Sequence, residues 1–251
     1  MNSLWAHPWR VAGRLLWLAG EIILGLGAYL PACAFRPPAE QFHARARWLQ
    51  RACRRTLRIF RTDLEISGAI PANGFMVCNH LSYLDILVIA ACTPAVFVAK
   101  REVQDWPVFG WFARLAGTVF VHRESRTHVG QVADAMAAAL AQGALVVLFP
   151  EGTSSNGQTV LPFRSSLLEP AARLAPPVTA ACIGYGLADG DVGEEVCYWK
   201  DMTLLPHLLN LLGKRQVRAR LRFQCVSAPA AERKALARQL HAEVVRLKES
   251  S

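Results

Sequence analysis

The sequence lacks the short motifs that identify several large classes of enzyme. Its seven cysteines are scattered and form no CxxC pair, so neither a zinc site nor a disulfide framework is indicated, and a reducing cytosolic setting fits best. No HExxH motif or other cluster of metal ligands stands out, and the hydrolase motif GxSxG would need a glycine where this chain has Asn156. A zinc mechanism and a covalent serine mechanism therefore have little support.

Acidic residues are also scarce, because 19 aspartates and glutamates face 28 lysines and arginines and leave a formal net charge of +9. This excess predicts an anionic partner, which can be a lipid surface, a phosphorylated substrate or nucleic acid. The chain has no internal repeat, low-complexity linker or obvious second-domain boundary, and its 251 residues suit one α/β domain. With 53% hydrophobic and 19% charged residues, the composition argues against disorder and is compatible with membrane contact.

An apolar stretch at residues 15–35 is barely long enough to cross a bilayer, since a straight membrane-spanning helix needs about 20 apolar residues. It does not read as a signal peptide, and Glu21 and Pro31 interrupt it. Arg14 precedes Glu21 by nearly two helical turns, so both can face one polar side. The stretch is either a buried core helix or a membrane-inserted helix or hairpin bent at Pro31. Flanking tryptophans and apolar residues all round the axis favour the membrane interpretation.

The next segment, residues 43–61, is strongly basic, with seven arginines and no acidic residue. Its apolar residues recur at helical spacing: Trp48, Leu49, Ala52, Leu57 and Phe60. Such a helix can lie on anionic lipid head groups, pack on the domain as a solvated basic helix, or act as an RNA-binding arm, although no RNA-binding fold signature accompanies it. The neighbouring apolar stretch favours lipid, so residues 1–61 are predicted to form a membrane-associated helical segment and residues 62–251 the main domain.

Beyond residue 61 the pattern predicts an α/β fold with a mixed, largely parallel sheet flanked by helices. Short apolar runs predict strands at 74–78, 95–99, 118–121, 144–149 and 178–183. Residues 217–225 alternate strictly and predict a half-exposed strand with Val217, Ala219, Leu221, Phe223 and Cys225 on its inner face. Helices are predicted at 85–91, at 129–142 with Gly143 as its stop, and at 230–248.

The stretch NHLSYLD, residues 79–85, places His80 just after the first of these apolar runs, where α/β sheets bind their ligands. Ser82 and Asp85 fit a capping box, and this common arrangement alone accounts for Asp85. Asp85 is also one turn into the predicted helix and close enough to reach back to His80. A histidine oriented in this way by a carboxylate is suited to activating a hydroxyl on a substrate.

A second motif, FPEGTSSNG at residues 149–157, follows the strongest strand candidate. Gly152 and Gly157 permit close backbone approach, and the hydroxyl residues at 153–155 offer donors for a phosphate or another polar head group. Glu151 is an unusual residue at an anion site unless it pairs with an arginine or accepts from a substrate hydroxyl. An ordinary turn is the alternative interpretation of this loop.

Taken together, these motifs resemble those of the glycerolipid acyltransferase family of the lysophosphatidate acyltransferase type. NHLSYLD resembles the NHx4D motif and FPEGTSS resembles the FPEGTR-type block. Residues 98–125 look like the linking segment of that family, which ends in a glycine, an aromatic residue and an arginine, here Gly117, Phe120 and Arg123. The similarity runs from about Phe75 to Ile183, and the apolar N-terminal segment stands where the family has its membrane segment.

The resemblance implies transfer of a fatty acyl group from coenzyme A or acyl carrier protein to a lysolipid hydroxyl. The expected acceptor is 1-acyl-glycerol-3-phosphate, the product phosphatidate and the location the cytoplasmic face of the inner membrane, with no metal, no further cofactor and no nucleic acid. In this scheme His80 is the general base and Asp85 its orienting partner, within an acyltransferase domain at 62–251. The implied substrate-binding residues are Asn79, Lys100, Arg123, Glu151, Gly152 and Thr153.

Two departures from the family pattern concern the acceptor. Ser154 stands where many members have arginine after EGT, which removes a phosphate partner that Arg164 can replace. In the fourth block, APPVTAACIGY, the proline pair precedes the valine. The alternatives are therefore a lyso-ornithine lipid or another lysolipid, since the block also resembles lyso-ornithine lipid acyltransferases. A lipid-binding, membrane-remodelling protein is the non-enzymatic alternative, and the intact His80–Asp85 pair argues against it.

The aromatic loop at residues 106–111, WPVFGW, has two interpretations. It can sit at the membrane interface, or it can pack inside the domain.

Overall fold

The computed structural model describes residues 7–121 and 126–250, and in these ranges seven strands form one sheet. The order across the sheet is β1-β7-β6-β2-β5-β3-β4. Strand β7 is antiparallel to β6 and every other neighbouring pair is parallel, so β1 and β7 run against the other five strands. The strands are β1 (Thr62–Ser67), β2 (Gly74–Cys78), β3 (Val96–Lys100), β4 (Val119–Val121), β5 (Leu145–Leu148), β6 (Val178–Leu187) and β7 (Val217–Val226).

Helices precede the sheet, connect its strands and end the described chain. They are α1 (Pro8–Tyr29), α2 (Pro38–Ile59), α3 (Leu84–Cys92), α4 (Phe109–Leu115), α5 (Arg126–Ala141), α6 (Glu169–Leu174), α7 (Val192–Glu195), α8 (Leu204–Gly213) and α9 (Arg233–Glu249). A π-helical turn at Leu30–Ala34 extends α1, and 3₁₀ turns occupy Arg101–Asp105 and Ser165–Leu168.

Both faces of the sheet are covered, which explains why β2 and β5 read as unbroken apolar runs. Successive side chains of a strand point to opposite faces, so Met76 joins the core formed with α2 and α3, whereas Phe75 joins the core formed with α5, α6 and α9. The predicted mixed, largely parallel sheet flanked by helices is confirmed.

The predicted inner face of β7 needs one correction. Val217 to Phe223 alternate as expected, but Cys225 is exposed and Val226 is buried instead. The alternation therefore shifts by one residue near the end of the strand. Sequence reasoning also missed β1, which is polar and mostly exposed at the sheet edge, and α8.

Helix α1 lies on the outside of the molecule, so the interpretation as a buried core helix is wrong. Only 6% of its most apolar 18-residue window is buried, and among the described helices it alone is long and apolar enough to cross a membrane. The helix continues through Pro31 to Ala34 as the π-helical turn, so the hairpin bend predicted at Pro31 is not there. Arg14 and Glu21 both turn to the protein: Arg14 donates to the Leu212 carbonyl (2.9 Å) and Glu21 accepts from Arg55 (2.6 Å).

Helix α2 packs its apolar stripe on the domain and leaves most of its arginines exposed. Trp48, Leu49 and Leu57 belong to the same core as the sheet, and the Trp48 indole donates to the Gly25 carbonyl of α1 (2.8 Å). This is the basic helix packed on the domain, so its apolar face is not available to lipid. At the predicted boundary, residue 61, the chain passes from helix α2 to strand β1, but residues on both sides of it share one hydrophobic core. The membrane role of residues 1–61 stays a prediction.

Candidate active site

The loop that follows β2 brings the imidazole of His80 to the carboxylate of Asp85. The distance from His80 Nδ1 to Asp85 Oδ2 is 2.7 Å; the Asp85 side chain is fully buried and that of His80 is 22% exposed. Because the carboxylate accepts at Nδ1, this network assigns the proton to Nδ1 and leaves Nε2 with a free lone pair. His80 is also one of the residues that line a cleft.

Asp85 also performs half of the predicted capping box. Its Oδ2 atom accepts from the backbone N–H groups of Leu81 (2.7 Å) and Ser82 (3.0 Å). The reciprocal half is absent, since Tyr83 is the N-cap residue of α3, and within the described ranges the buried Ser82 hydroxyl has no hydrogen-bond partner. One carboxylate thus fixes the turn and orients the histidine, and the two interpretations of Asp85 hold together.

Tyr185 completes the surroundings of Asp85, and the sequence analysis did not identify it. Its hydroxyl donates to Asp85 Oδ1 at 2.6 Å. Burial raises the pKa of Tyr185 well above its usual value, and the nearby Asp85 carboxylate adds to this effect, so the hydroxyl keeps its proton and remains a donor. Tyr185 lies on β6, which pairs with β2, and no local motif marks it.

Asn79 joins these same two strands. Its side-chain amide donates to the Ile183 carbonyl (2.9 Å) and accepts from the Ile183 N–H (2.8 Å). Both functional groups of this buried side chain are therefore occupied by the backbone of β6. The structure gives Asn79 a positioning role beside His80 instead of a place in the cleft.

The loop at 149–157 is attached to the same turn. The Ser155 N–H donates to the His80 carbonyl (3.0 Å), and the Phe149 ring stacks on the His80 imidazole with centroids 4.3 Å apart. Gly152 has φ of +69°, a left-handed conformation that favours glycine. The two motifs thus form one assembly around His80.

Glu151 is the buried acid of this assembly. Neither of its carboxylate oxygens has a hydrogen-bond partner within the described parts of the chain. Burial raises the pKa of Glu151 to about 8, and the Asp85 carboxylate adds to this shift; the backbone N–H groups of His80 and Leu161 are near enough to offset part of it without making hydrogen bonds of normal geometry to the carboxylate. Glu151 is 3% exposed and is not one of the residues that line the cleft.

The cleft in front of His80 has a volume of about 350 Å³ and mostly apolar walls. Such a lining suits a hydrocarbon chain, with a few polar groups to fix its orientation. The apolar and aromatic lining residues include Ile86, Phe97, Val103, Trp106, Phe109, Val121, Leu148, Phe149 and Leu167. The polar ones include Lys100, Thr153, Ser154 and Lys200.

Comparisons with known proteins identify the family of this chain. The family model described as Acyltransferase matches residues 62–184. A 1-acyl-sn-glycerol-3-phosphate acyltransferase from Neisseria meningitidis is 34% identical over 181 residues, which cover 67% of each chain. A lyso-ornithine lipid O-acyltransferase from Pseudomonas aeruginosa is 33% identical over 239 residues, 92% of this chain and 90% of that enzyme. The chain belongs to the acyltransferase family.

Two further proteins are similar to this acyltransferase. A lyso-ornithine lipid O-acyltransferase from Rhizobium meliloti is 36% identical over 184 residues, 66% of this chain and 62% of that enzyme. The crystal structure of a 1-acyl-sn-glycerophosphate acyltransferase, PlsC, from Thermotoga maritima superposes with a TM-score of 0.73 over 99% of this chain and 97% of the other. At 20% identity this second likeness concerns the fold.

The cleft of the acyltransferase gathers four of the residues predicted for substrate or catalysis: His80, Lys100, Gly152 and Thr153. Asn79, Asp85 and Glu151 are buried behind it. Arg164 is exposed and does not line the cleft, so its position gives no support to the predicted replacement of the missing arginine. Arg123 falls outside the described residues.

The aromatic loop of the acyltransferase is divided between the cleft and the protein surface, and its place at the membrane interface stays a prediction. Trp106 and Phe109 line the cleft, and the Trp106 ring makes an edge contact with Tyr198, the centroids being 5.6 Å apart. Trp111, in contrast, is 52% exposed. The first part of the loop is therefore a wall of the site, and its second part reaches the surface.

Proposed function

We propose that this acyltransferase moves a fatty acyl group from an acyl thioester to the free hydroxyl of a lysolipid, with His80 as general base. The acceptor proposed first is 1-acyl-glycerol-3-phosphate, which gives phosphatidate. The observation that carries the proposal is the 2.7 Å contact between His80 and the buried Asp85 at the wall of an apolar cleft. In this proposal an oriented base lies at the edge of a cleft that can hold a fatty acyl chain.

The proposed reaction needs no nucleophile from the protein. His80 Nε2 removes the proton of the lysolipid hydroxyl while that oxygen attacks the thioester carbonyl carbon. The tetrahedral intermediate then collapses, the carbon–sulfur bond breaks, and the proton passes from the imidazolium to the leaving thiolate. Asp85 keeps the ring in the required tautomer and stabilises the positive charge that forms on it.

The substrates divide between the two kinds of cleft surface. In this proposal the aromatic and aliphatic walls accommodate the acyl chain, and Lys100, Gly152 and Thr153, which also line the cleft, are available to the polar part of the acceptor. Coenzyme A and acyl carrier protein present the same thioester, so either donor satisfies the chemistry. No further cofactor enters the proposed scheme.

The proposed location is the cytoplasmic face of the inner membrane. Large apolar side chains on or next to α1 are exposed: Trp9, Leu16, Trp17, Ile23, Leu24, Leu30 and Phe35. An exposed apolar patch of this kind supports insertion into lipid, and the arginines of α2 favour an anionic surface beside it. A lysolipid and a membrane-bound enzyme then meet in the same leaflet.

A lyso-ornithine lipid is the second candidate acceptor. Ser154 replaces the arginine that many lysophosphatidate acyltransferases have at this position, and two of the relatives named above are lyso-ornithine lipid O-acyltransferases. An acceptor without a phosphomonoester has less need of that arginine.

The test uses purified full-length protein with radiolabelled acyl-CoA or acyl carrier protein and a panel of lysolipids. Transfer to lysophosphatidate above all others supports the first candidate, and transfer to lyso-ornithine lipid supports the second. A suitable control is His43→Ala, since His43 contacts the Gln142 carbonyl and does not line the cleft. Absence of transfer to every lysolipid by folded, vesicle-bound protein would refute the proposal.

A further inference from the structure

The segment Tyr198–Lys200 connects the two motif loops beside the cleft. The Tyr198 N–H donates to the Leu81 carbonyl of the histidine turn (2.8 Å). The Ser154 hydroxyl, from the second motif, donates to the Tyr198 carbonyl. Tyr198, Trp199 and Lys200 all line the cleft, so this segment forms part of its wall.

Lys200 is held there in an uncommon conformation. Its φ is +52°, in the left-handed region that residues with a side chain seldom occupy. Its ammonium nitrogen lies 3.7 Å from the centroid of the Trp199 ring, and the Trp199 indole in turn donates to the Gly193 carbonyl (2.9 Å). The indole therefore has a fixed orientation, and the cation rests on its face beside the cleft.

The residue that ties this segment down is the one that departs from the family pattern. Serine at 154 is too short to reach a head group as arginine does, and its hydroxyl proton is already donated to the Tyr198 carbonyl. The same hydrogen bond holds the backbone that carries Lys200. The short side chain of Ser154 thus occurs together with a cation, Lys200, that comes from a different part of the chain, the segment between α7 and α8.

We infer that Lys200 forms an anion subsite for the head group of the acceptor lysolipid, in the place of the missing arginine. The inference rests on the proposed function and names the part of the acceptor that this site binds. The chemistry shared by the two candidate acceptors is an oxyanion, a phosphate monoester in lysophosphatidate and a carboxylate in lyso-ornithine lipid. An ammonium group is a compact point charge that pairs with either.

The test compares Lys200→Asn with Lys200→Arg in the full-length enzyme. Asparagine tolerates a positive φ and carries no charge, whereas arginine keeps the charge, so the pair separates electrostatics from backbone conformation. The acceptor KM for lysophosphatidate and for lyso-ornithine lipid is measured at fixed acyl donor. Lys200→Asn should raise the KM of the anionic acceptor about tenfold and leave the donor KM unchanged. Lys200→Arg, which keeps the charge, should retain an acceptor KM close to that of the wild type.

A second measurement keeps this inference separate from the proposed function. Equilibrium binding of a short-chain lysophosphatidate, a lyso-ornithine lipid and an uncharged monoacylglycerol is determined by calorimetry without any acyl donor. Weaker binding of either anionic lipid to Lys200→Asn, with monoacylglycerol unaffected, supports the subsite even if no transfer is found and shows which oxyanion it takes. Equal binding of all three lipids to both proteins, or an equal loss for monoacylglycerol, would overturn it.

Discussion

The carboxylate of Asp85 accepts four hydrogen bonds, from the His80 ring, the backbone N–H groups of Leu81 and Ser82, and the Tyr185 hydroxyl. Together these donors fix the direction in which the carboxylate faces the imidazole. The orientation of His80 is thus determined by the turn and by β6, two parts of the chain that are 100 residues apart.

Replacing Asp85 by asparagine tests this arrangement. Asparagine keeps the shape but loses the charge that stabilises an imidazolium, so kcat/KM should fall about 10³-fold or more. Tyr185→Phe removes only one neutral donor and should cost roughly three- to tenfold. Steady-state kinetics on both variants provides the comparison. Near-normal turnover of Asp85→Asn would show that the pair does not act as described.

Glu151 predicts a pH dependence of stability. Its pKa is raised from 4.5 to about 8 in the folded protein, so its contribution to stability is fully present below about 4.5 and is lost as the pH rises through about 8. The difference corresponds to roughly 5 kcal/mol at most. Glu151→Gln cannot ionise, and it should gain stability relative to the wild type between pH 5 and 8.5. Urea unfolding at both pH values measures this, and parallel pH profiles would contradict it.

Local spacing predicted His80 and Asp85, because the six residues from His80 to Asp85 contain the whole pair. It could not predict Tyr185, which lies near Asp85 because β6 pairs with β2. It also could not predict Lys200, whose own left-handed backbone conformation is not evident from the sequence. Glu151 was found as part of a motif, but its burial away from the cleft depends on packing that no short motif encodes. Arg164 is close to the second motif in the sequence, yet it does not line the cleft.

At the scale of elements, α1 is attached to the domain through its arginine side chains. The buried Arg14 guanidinium donates to the carbonyls of Leu212 (2.9 Å) and Lys214 (2.5 Å) at the end of α8, and Arg10 donates to the Gly213 carbonyl (3.0 Å). Carbonyls at a helix C-terminus lack partners within the helix, and a cation there is favourable. These bonds hold an otherwise exposed helix in place.

Replacing Arg14 by methionine should therefore loosen α1 while leaving its apolar surface intact. A charged hydrogen bond to a buried group contributes about 1.5–3 kcal/mol, and the α8 carbonyls would lose their donor. The expected result is faster proteolytic release of the N-terminal helix and a lower Tm. Arg10→Met is the milder comparison because Arg10 is only partly buried. An Arg14→Met protein as resistant as the wild type would argue against this attachment.

The pattern of apolar residues predicted the ends of most strands to within two residues. A strand that is covered on both faces of the sheet has apolar side chains at successive positions, and this produces an apolar run in the sequence. The pattern missed β1, whose sequence TDLEIS pairs with β7 through the backbone and exposes most of its side chains. The apolar stripe of α2 was predicted correctly, but it packs on the protein core and not on lipid as expected. Helical periodicity states which side of a helix is apolar and does not distinguish a protein core from lipid.

At the scale of the whole molecule, the exposed apolar side of α1 and the arginines of α2 predict membrane binding by insertion and by charge. Each basic side chain near an anionic surface contributes about 1 kcal/mol, so anionic vesicles should capture the protein more strongly than neutral ones. High salt should weaken capture but should not extract an inserted apolar helix. Vesicle flotation at low and high salt measures both effects, and complete release by salt alone would count against insertion.

The central claim is that His80 is the base for acyl transfer, and the most direct measurement is the turnover of His80→Ala with labelled acyl thioester and the preferred lysolipid. A positioned base contributes about 10²–10⁴-fold, so the variant should lose at least a hundredfold in kcat while it keeps its circular dichroism spectrum and its vesicle binding. Turnover close to that of the wild type in a folded, membrane-bound His80→Ala protein would contradict the account.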